Sequence, residues 1–405
     1  MAAVLTAPSV AAQTSPYYVA LSQSFSHDSN LLRLDRNAAL QEGQSRADTV
    51  SSTSLLAGLD QTLGRQRVYG NLALRSNRLS NNTVYSNETY TAALGLDWAT
   101  VAHLSGTLSA STNRALSSFN LQGIGTLREK NFEDTRTLDA SLRWGLYGPY
   151  SLLVSVGQRK VDNSSDAAAL RSRDFRQTSA ATGLRWTPSA IGHFGLSLRH
   201  TRGIYPRFRP VANGFDGDRF ERDDLEFSAS RQPSAASTLD LRLSSGRTRY
   251  DLATQRNFSG LTGSLGWTWQ FSGKLRFALV ASRDIGQDSY AVTAFQTPAS
   301  ADYGRVNTGL RLTTDYALSS KVALTLTAGL AERKLARSLP TPAGQTVSDS
   351  GNERQNVLSL GARWAPRRSM LVGCEAAIDR RRGSGALGSD VPAETVTCYA
   401  QISLQ

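Results

Sequence analysis

Apolar and polar residues alternate with a period of two along most of this chain. Val68, Gly70, Leu72 and Leu74 form one face, and Arg67, Tyr69, Asn71, Ala73 and Arg75 form the other. Tyr90, Ala92, Leu94, Leu96 and Trp98 stand against Thr89, Thr91, Ala93, Gly95 and Asp97. Leu138, Ala140, Leu142, Trp144 and Leu146 oppose Asp139, Ser141, Arg143 and Gly145. Such alternation sends successive side chains to opposite faces of a strand. Many runs reach about ten residues, whereas strands of soluble sheets usually stop near five or six.

The pattern predicts eighteen strands, with sixteen as the competing count. Short connections are expected near residues 64–65, 99–102, 147–150, 187–192, 232–237, 272–273, 318–321 and 365–369. Long polar ones are expected near 27–47, 77–87, 114–133, 160–174, 203–223, 251–257, 284–303, 334–352 and 382–393. Short and long alternate without exception. The prediction is an all-β fold, a transmembrane antiparallel β-barrel with short periplasmic turns, long outer loops and both termini in the periplasm. Trp98, Trp144, Trp186, Trp267, Trp269 and Trp364 all precede short turns. An indole favours the membrane–water boundary, so these six are expected to form an interface girdle at the periplasmic side.

Composition narrows the class. Hydrophobic residues make up 40% of 405 residues and no apolar run is long enough for a membrane helix, which excludes a helical membrane protein. No linker divides the chain, so 14–405 is expected to be one outer-membrane barrel. Residues 1–13, ending in the small residues Val10-Ala11-Ala12 before Gln13, read as a signal-peptide remnant rather than a native tail. Net charge is +12, but nucleic-acid motifs are absent and no nucleic-acid partner is expected.

A barrel this wide, roughly 35 Å across, should keep an aqueous channel. Parity assigns to its lumen Arg67, Tyr69, Arg75, Arg143, Arg159, Arg185, Arg199, Arg242, Arg276, Arg311 and Arg363. The same face carries Asp97, Asp139, Glu226, Asp240, Asp315 and Glu375. Base outnumbers acid, so the channel should favour anions. Part of that charge is expected to brace the wall, with Asp139–Arg143 and Arg311–Asp315 as same-strand candidates.

Four histidines show no metal-ligand spacing, and no nucleophile motif is present. His103 and His193 could face the lumen, yet no Ser/His/acid set accompanies them. No enzyme activity, cofactor or metal is expected. Cys374 and Cys398 lie equidistant from a hairpin centre near residue 386, so they should face each other. They could form a cross-strand disulfide or stand as two small apolar residues against lipid. The chain ends Ile402-Ser-Leu-Gln405 rather than on the aromatic residue that the barrel-assembly machinery usually reads.

The segment Tyr17-Tyr-Val-Ala-Leu-Ser-Gln-Ser-Phe-Ser-His-Asp-Ser-Asn-Leu-Leu-Arg-Leu34 resembles the opening strand and first loop of a known family. Two further stretches, Gly58 to Leu74 with Gly64-Arg-Gln-Arg67, and Asn257 to Trp267, look like other parts of the same family. That family is the β-barrel porin type 2 proteins of exopolysaccharide biosynthesis operons, in particular the exosortase-associated group of Gram-negative bacteria. The resemblance implies an outer-membrane channel for an exported polysaccharide, with outer-membrane lipid and a periplasmic polysaccharide-export apparatus as partners. It brings no catalytic residue. The alternative is a general diffusion porin for small hydrophilic or anionic solutes.

Overall fold

The computed structural model describes residues 15–40, 42–117, 120–121, 125–126, 130–145, 148–211, 214–285, 304–340, 346–385 and 388–404. They form a sheet of eighteen antiparallel strands. The first six are β1 (Tyr17–Asp28), β2 (Asp48–Leu63), β3 (Gln66–Leu79), β4 (Asn87–Ala99), β5 (Leu104–Leu116) and β6 (Phe132–Trp144). Next come β7 (Tyr150–Asn163), β8 (Phe175–Ser189), β9 (Gly192–Val211), β10 (Gly214–Ser234), β11 (Ser237–Tyr250) and β12 (Phe258–Gln270). The last are β13 (Leu275–Ile285), β14 (Gly304–Ala317), β15 (Val322–Pro340), β16 (Thr346–Arg367), β17 (Met370–Gly385) and β18 (Val391–Leu404). Each pairs with the next, and β1 pairs with both β2 and β18, so the sheet closes on itself. The expected signal remnant and most of the loop at 284–303 lie outside the described residues.

The two faces invert the order of a soluble protein. Large apolar side chains are exposed on one face, among them Leu21, Leu55, Leu74, Leu94, Leu138, Leu198 and Leu360. Polar residues of the other face are buried, including Ser22, Ser54, Asp224, Thr262 and Asp379. Only lipid makes that arrangement favourable, because an exposed leucine costs nothing in hydrocarbon and every ladder hydrogen bond is closed. An even-stranded barrel with an apolar outer belt is the form in which proteins span the Gram-negative outer membrane. This protein is such a barrel. All six tryptophans lie on the outward face, near the short connections.

Those connections are tight. Leu63 pairs with Gln66 across a two-residue turn in which Gly64 takes φ 63°, a region that favours glycine. At the other end the structure departs from the expected loops. The segments at 203–223, 334–352 and 382–393 are largely strand: Val211 pairs with Gly214, Pro340 with Thr346, and Gly351 with Gly385. Above the membrane both faces can be polar, so charged pairs such as Arg202–Glu221 at 3.1 Å and Arg209–Asp216 at 2.7 Å continue the ladder into water. Composition there resembles a loop although the backbone does not.

The closing seam is latched at its outer end by the first loop. Asp28 accepts from both terminal nitrogens of Arg33, at 2.8 and 2.7 Å, and from the Asn30 amide at 2.9 Å. Asn30 donates to the carbonyls of Leu34 and Pro392 and accepts from the Leu34 amide. The Ser29 amide donates to the Glu394 carbonyl, and the Asp390 amide donates to the Asp35 carboxylate. Arg33 is held at φ 53°, a left-handed conformation that its bidentate bond to Asp28 maintains. Residues 28–35 thus tie the start of the chain to residues 390–394. One strand further on, Cys374 and Cys398 face each other with Cα atoms 4.0 Å apart and are joined as a disulfide, on the lipid-facing side.

Replacing Asn30 with Ala should lower the stability of the folded barrel by about 1–3 kcal/mol, since the buried Leu34 amide loses its acceptor and the Leu34 and Pro392 carbonyls each lose a donor. Loss of the heat-modifiable band on a semi-native gel reports this directly. The Asp35 carboxylate is held below its ordinary 3.8 by the amides of Asn37 and Asp390. Its folded value is depressed, so its contribution is present above the unfolded value and lost as pH falls through the folded one. The melting temperature should therefore drop between about pH 5 and about pH 3, and D35N should remove part of that drop.

Candidate functional site: the lumen wall and its periplasmic mouth

Period-two geometry puts every second residue of each strand on the inner wall, where charge is arranged by depth. At mid-height and above, acids and bases meet across neighbouring strands. Glu226 on β10 takes Arg242 of β11 at 2.6 Å and Arg199 of β9 at 3.7 Å. Arg222 and Asp224 form a buried pair at 2.8 Å. On the opposite wall Arg333 donates to Gln355 at 2.6 Å and lies 3.8 Å from Glu353, while Gln355 donates to Asp379. Arg75 donates to Ser54 at 3.1 Å, and Arg159 lies over the Phe175 ring. These contacts brace the wall, and a buried charge left alone would be costly.

The same-strand pairs expected for bracing have other neighbours. Asp315 accepts from the Thr325 hydroxyl at 2.8 Å, and the cation acting on Asp139 is Arg199. Arg311 lies in the field of Glu375. Residues two or four apart on a strand share a face, but facing residues on adjacent strands come closer.

Toward the periplasmic end the balance changes. Arg67 is bound by Asp60 at 2.6 Å and lies over the Tyr69 ring, and the Tyr69 hydroxyl reaches Asp97 at 3.5 Å. Arg276 stands opposite Asp315. Arg143 stands between Ser105 and Leu153, Arg185 between Ser151 and Gly195, and Arg363 between Ala323 and Gly373. Their cross-strand neighbours are therefore all neutral, and among the described residues none of the three joins an ion pair. His193 is on the same wall, near enough to Arg185 to feel its charge. His103 lies in the turn before β5.

These three arginines each precede a girdle tryptophan: Arg143-Trp144, Arg185-Trp186 and Arg363-Trp364. The guanidinium turns to the lumen and the indole to lipid at one depth. The repeated dipeptide is a sequence signal that strand parity alone passed over. It places unpaired cations on two sides of the periplasmic mouth, Arg143 and Arg185 on β6 and β8 and Arg363 across from them on β16.

The outer half of the lumen is partly filled. Phe175, Tyr205, Phe220 and Tyr250 project inward from four successive strands and pack together, with ring centroids 5.4 to 6.4 Å apart. The 251–257 connection folds inward over them. The carboxylate of Asp218 accepts from the amides of Leu252 and Ala253. The Arg256 guanidinium lies 5.2 to 5.9 Å from the rings of Tyr205, Phe208 and Tyr250. The Thr254–Arg256 turn reaches across to β14 and β15. The first loop packs similarly near β3, with Leu32, Leu34 and Tyr85 buried together.

No family model matches the chain, and no curated protein matches it by sequence. Solved structures are similar to it. OccK1 (OpdK) of Pseudomonas aeruginosa gives a TM-score of 0.49 at 12% identity, covering 96% of this chain and 99% of that one. OccK2 (OpdF) of Pseudomonas aeruginosa gives 0.48 at 12%, covering 96% and 98%. The FrpB iron transporter of Neisseria meningitidis gives 0.47 at 10%, covering 92% and 62%.

Replacing Arg256 with Ala should free the inward turn by removing a cation shared among three rings, worth about 1–2 kcal/mol. Single-channel conductance in a planar bilayer should rise, and unchanged conductance would show that the turn does not narrow the path.

Proposed function

We propose that this protein is an outer-membrane channel whose cargo is an anionic, hydrated polymer leaving the periplasm, namely an exopolysaccharide. The observation that carries the reading is the set of Arg143 and Arg185 on one side of the periplasmic mouth and Arg363 on the other, each with neutral cross-strand neighbours. A polymer exported from the periplasm meets that mouth first. Positive charge held there raises the local concentration of an anion and gives it weak, exchangeable contacts. The braced ladder above adds less net charge, so a chain captured below would not be trapped on its way out. The resemblance at Tyr17 to Leu34 points to polysaccharide rather than to another anion, and to a periplasmic export apparatus as the partner delivering it.

A second reading, a diffusion porin for small anions, is favoured by the inward turn at 251–257 and the aromatic cluster below it, which narrow the path. The two readings separate in the cell and in the bilayer. Deleting the gene should abolish surface polysaccharide if the polymer is the cargo; unchanged polymer with slower uptake of small anions selects the porin. In either case R143A/R185A/R363A should shift the reversal potential of a salt gradient away from anion selectivity. An unaltered reversal potential would remove these three arginines from the functional account.

A further inference from the structure

Just above the apolar belt the outward face of the barrel carries charge, and on many strands it is balanced. Arg78 faces Glu88, Arg114 faces Asp134, Lys160 meets Asp162 and Arg202 meets Glu221. Such exposed pairs contribute little stability, yet they cancel charge where barrel and headgroups meet.

The balance is incomplete on β6 to β8, where Arg136 and Arg176 flank Lys160, and it fails further on β15 to β17, where more bases gather. Lys334, Arg354, Arg380 and Arg382 are exposed on the outward face, and among the described residues none joins an ion pair. Arg354 stands directly opposite Arg382, and Arg380 is opposite Asn356 one pair below. Two acids share this face: Glu332 opposite Arg354, and Glu394 opposite Ile378. Like charges facing across a ladder destabilise it. A sheet that keeps this arrangement gains from an anion between them.

The position says which anion. Directly below the arginines the outward face is Leu330, Leu358, Ile378 and Val396, all exposed. The cluster therefore begins where hydrocarbon ends, on the side of the long outer connections. Guanidinium groups bind phosphate through paired, charge-assisted hydrogen bonds. We propose that Arg354, Arg380 and Arg382 on the outward face of β16 and β17 hold the phosphate-bearing headgroup of an outer-leaflet glycolipid. Its acyl chains lie along Leu358 and Ile378, and Lys334 supplies further positive charge at the upper edge. This site does not depend on what passes through the lumen.

The test uses the full chain in detergent, wild type and R354S/R380S/R382S, titrated with bisphosphorylated lipid A and with its dephosphorylated form. Native mass spectrometry reads the bound lipid. The wild type should hold the bisphosphorylated lipid, and the triple variant should hold it about a hundredfold more weakly, each lost arginine weighing several-fold. R202S, on the balanced part of the rim, should bind as the wild type does. The triple variant should keep its heat-modifiable migration and its conductance; if it does not fold, R382S alone should still bind several-fold more weakly. Equal lipid binding by the folded triple or single variant overturns the proposal. So does equal binding of the dephosphorylated lipid, or displacement by inorganic phosphate alone at the same concentration, which would make the site a simple anion patch.

Discussion

Everything in this barrel follows from one requirement: in hydrocarbon each backbone amide and carbonyl needs a partner within the sheet. A sheet with edges cannot meet it, so β1 must return to β18, the pairing most distant in sequence. That contact closes the longest loop in the chain, yet its ladder bonds are of the same kind as those between strands adjacent in sequence. The concentration of side-chain bonds at its outer end is understandable on this ground. Asp28, Asn30, Arg33 and Asp35 gather there, and the Cys374–Cys398 bridge lies one strand away. The seam is reinforced where it is topologically most expensive.

Closure also sets the electrostatics. Once every second residue points inward, charge on that face is confined to a narrow annulus and must be neutralised or used. The structure divides it by height. Glu226 between Arg199 and Arg242, and Arg333 beside Gln355 and Glu353, are neutralised near mid-barrel and above. The arginines beside the girdle are not. The outer half trades charge for aromatic packing, with Arg159 and Arg256 stacked on its rings.

The strand count and the in–out assignment of positions such as Leu72 and Leu94 were legible because a period of two is local information. The extended hairpin at 203–223 was not, because strands in water lose the apolar face that marks them; only pairs such as Arg209 with Asp216 reveal the ladder. Bracing partners were misjudged for a related reason. Asp139 and Arg143 are close in sequence, but who faces Arg143 is decided by register with β5 and β7, which the chain does not display. The segment from Asp28 to Leu34 was visible as a motif. Its partners at 390–394 are at the far end of the chain and could not be read from it.

The Arg-Trp dipeptides have a consequence for how the barrel is set in its membrane. Neighbouring residues on a strand point to opposite sides, so a slip of one position at Arg143-Trp144 would put a guanidinium in hydrocarbon and an indole in the water-facing wall. Both errors are penalised at once, and the same device recurs on β8, two strands away, and on β16 across the barrel. Each dipeptide acts like a vernier mark, reading rotation of the strand and depth of the barrel on one scale.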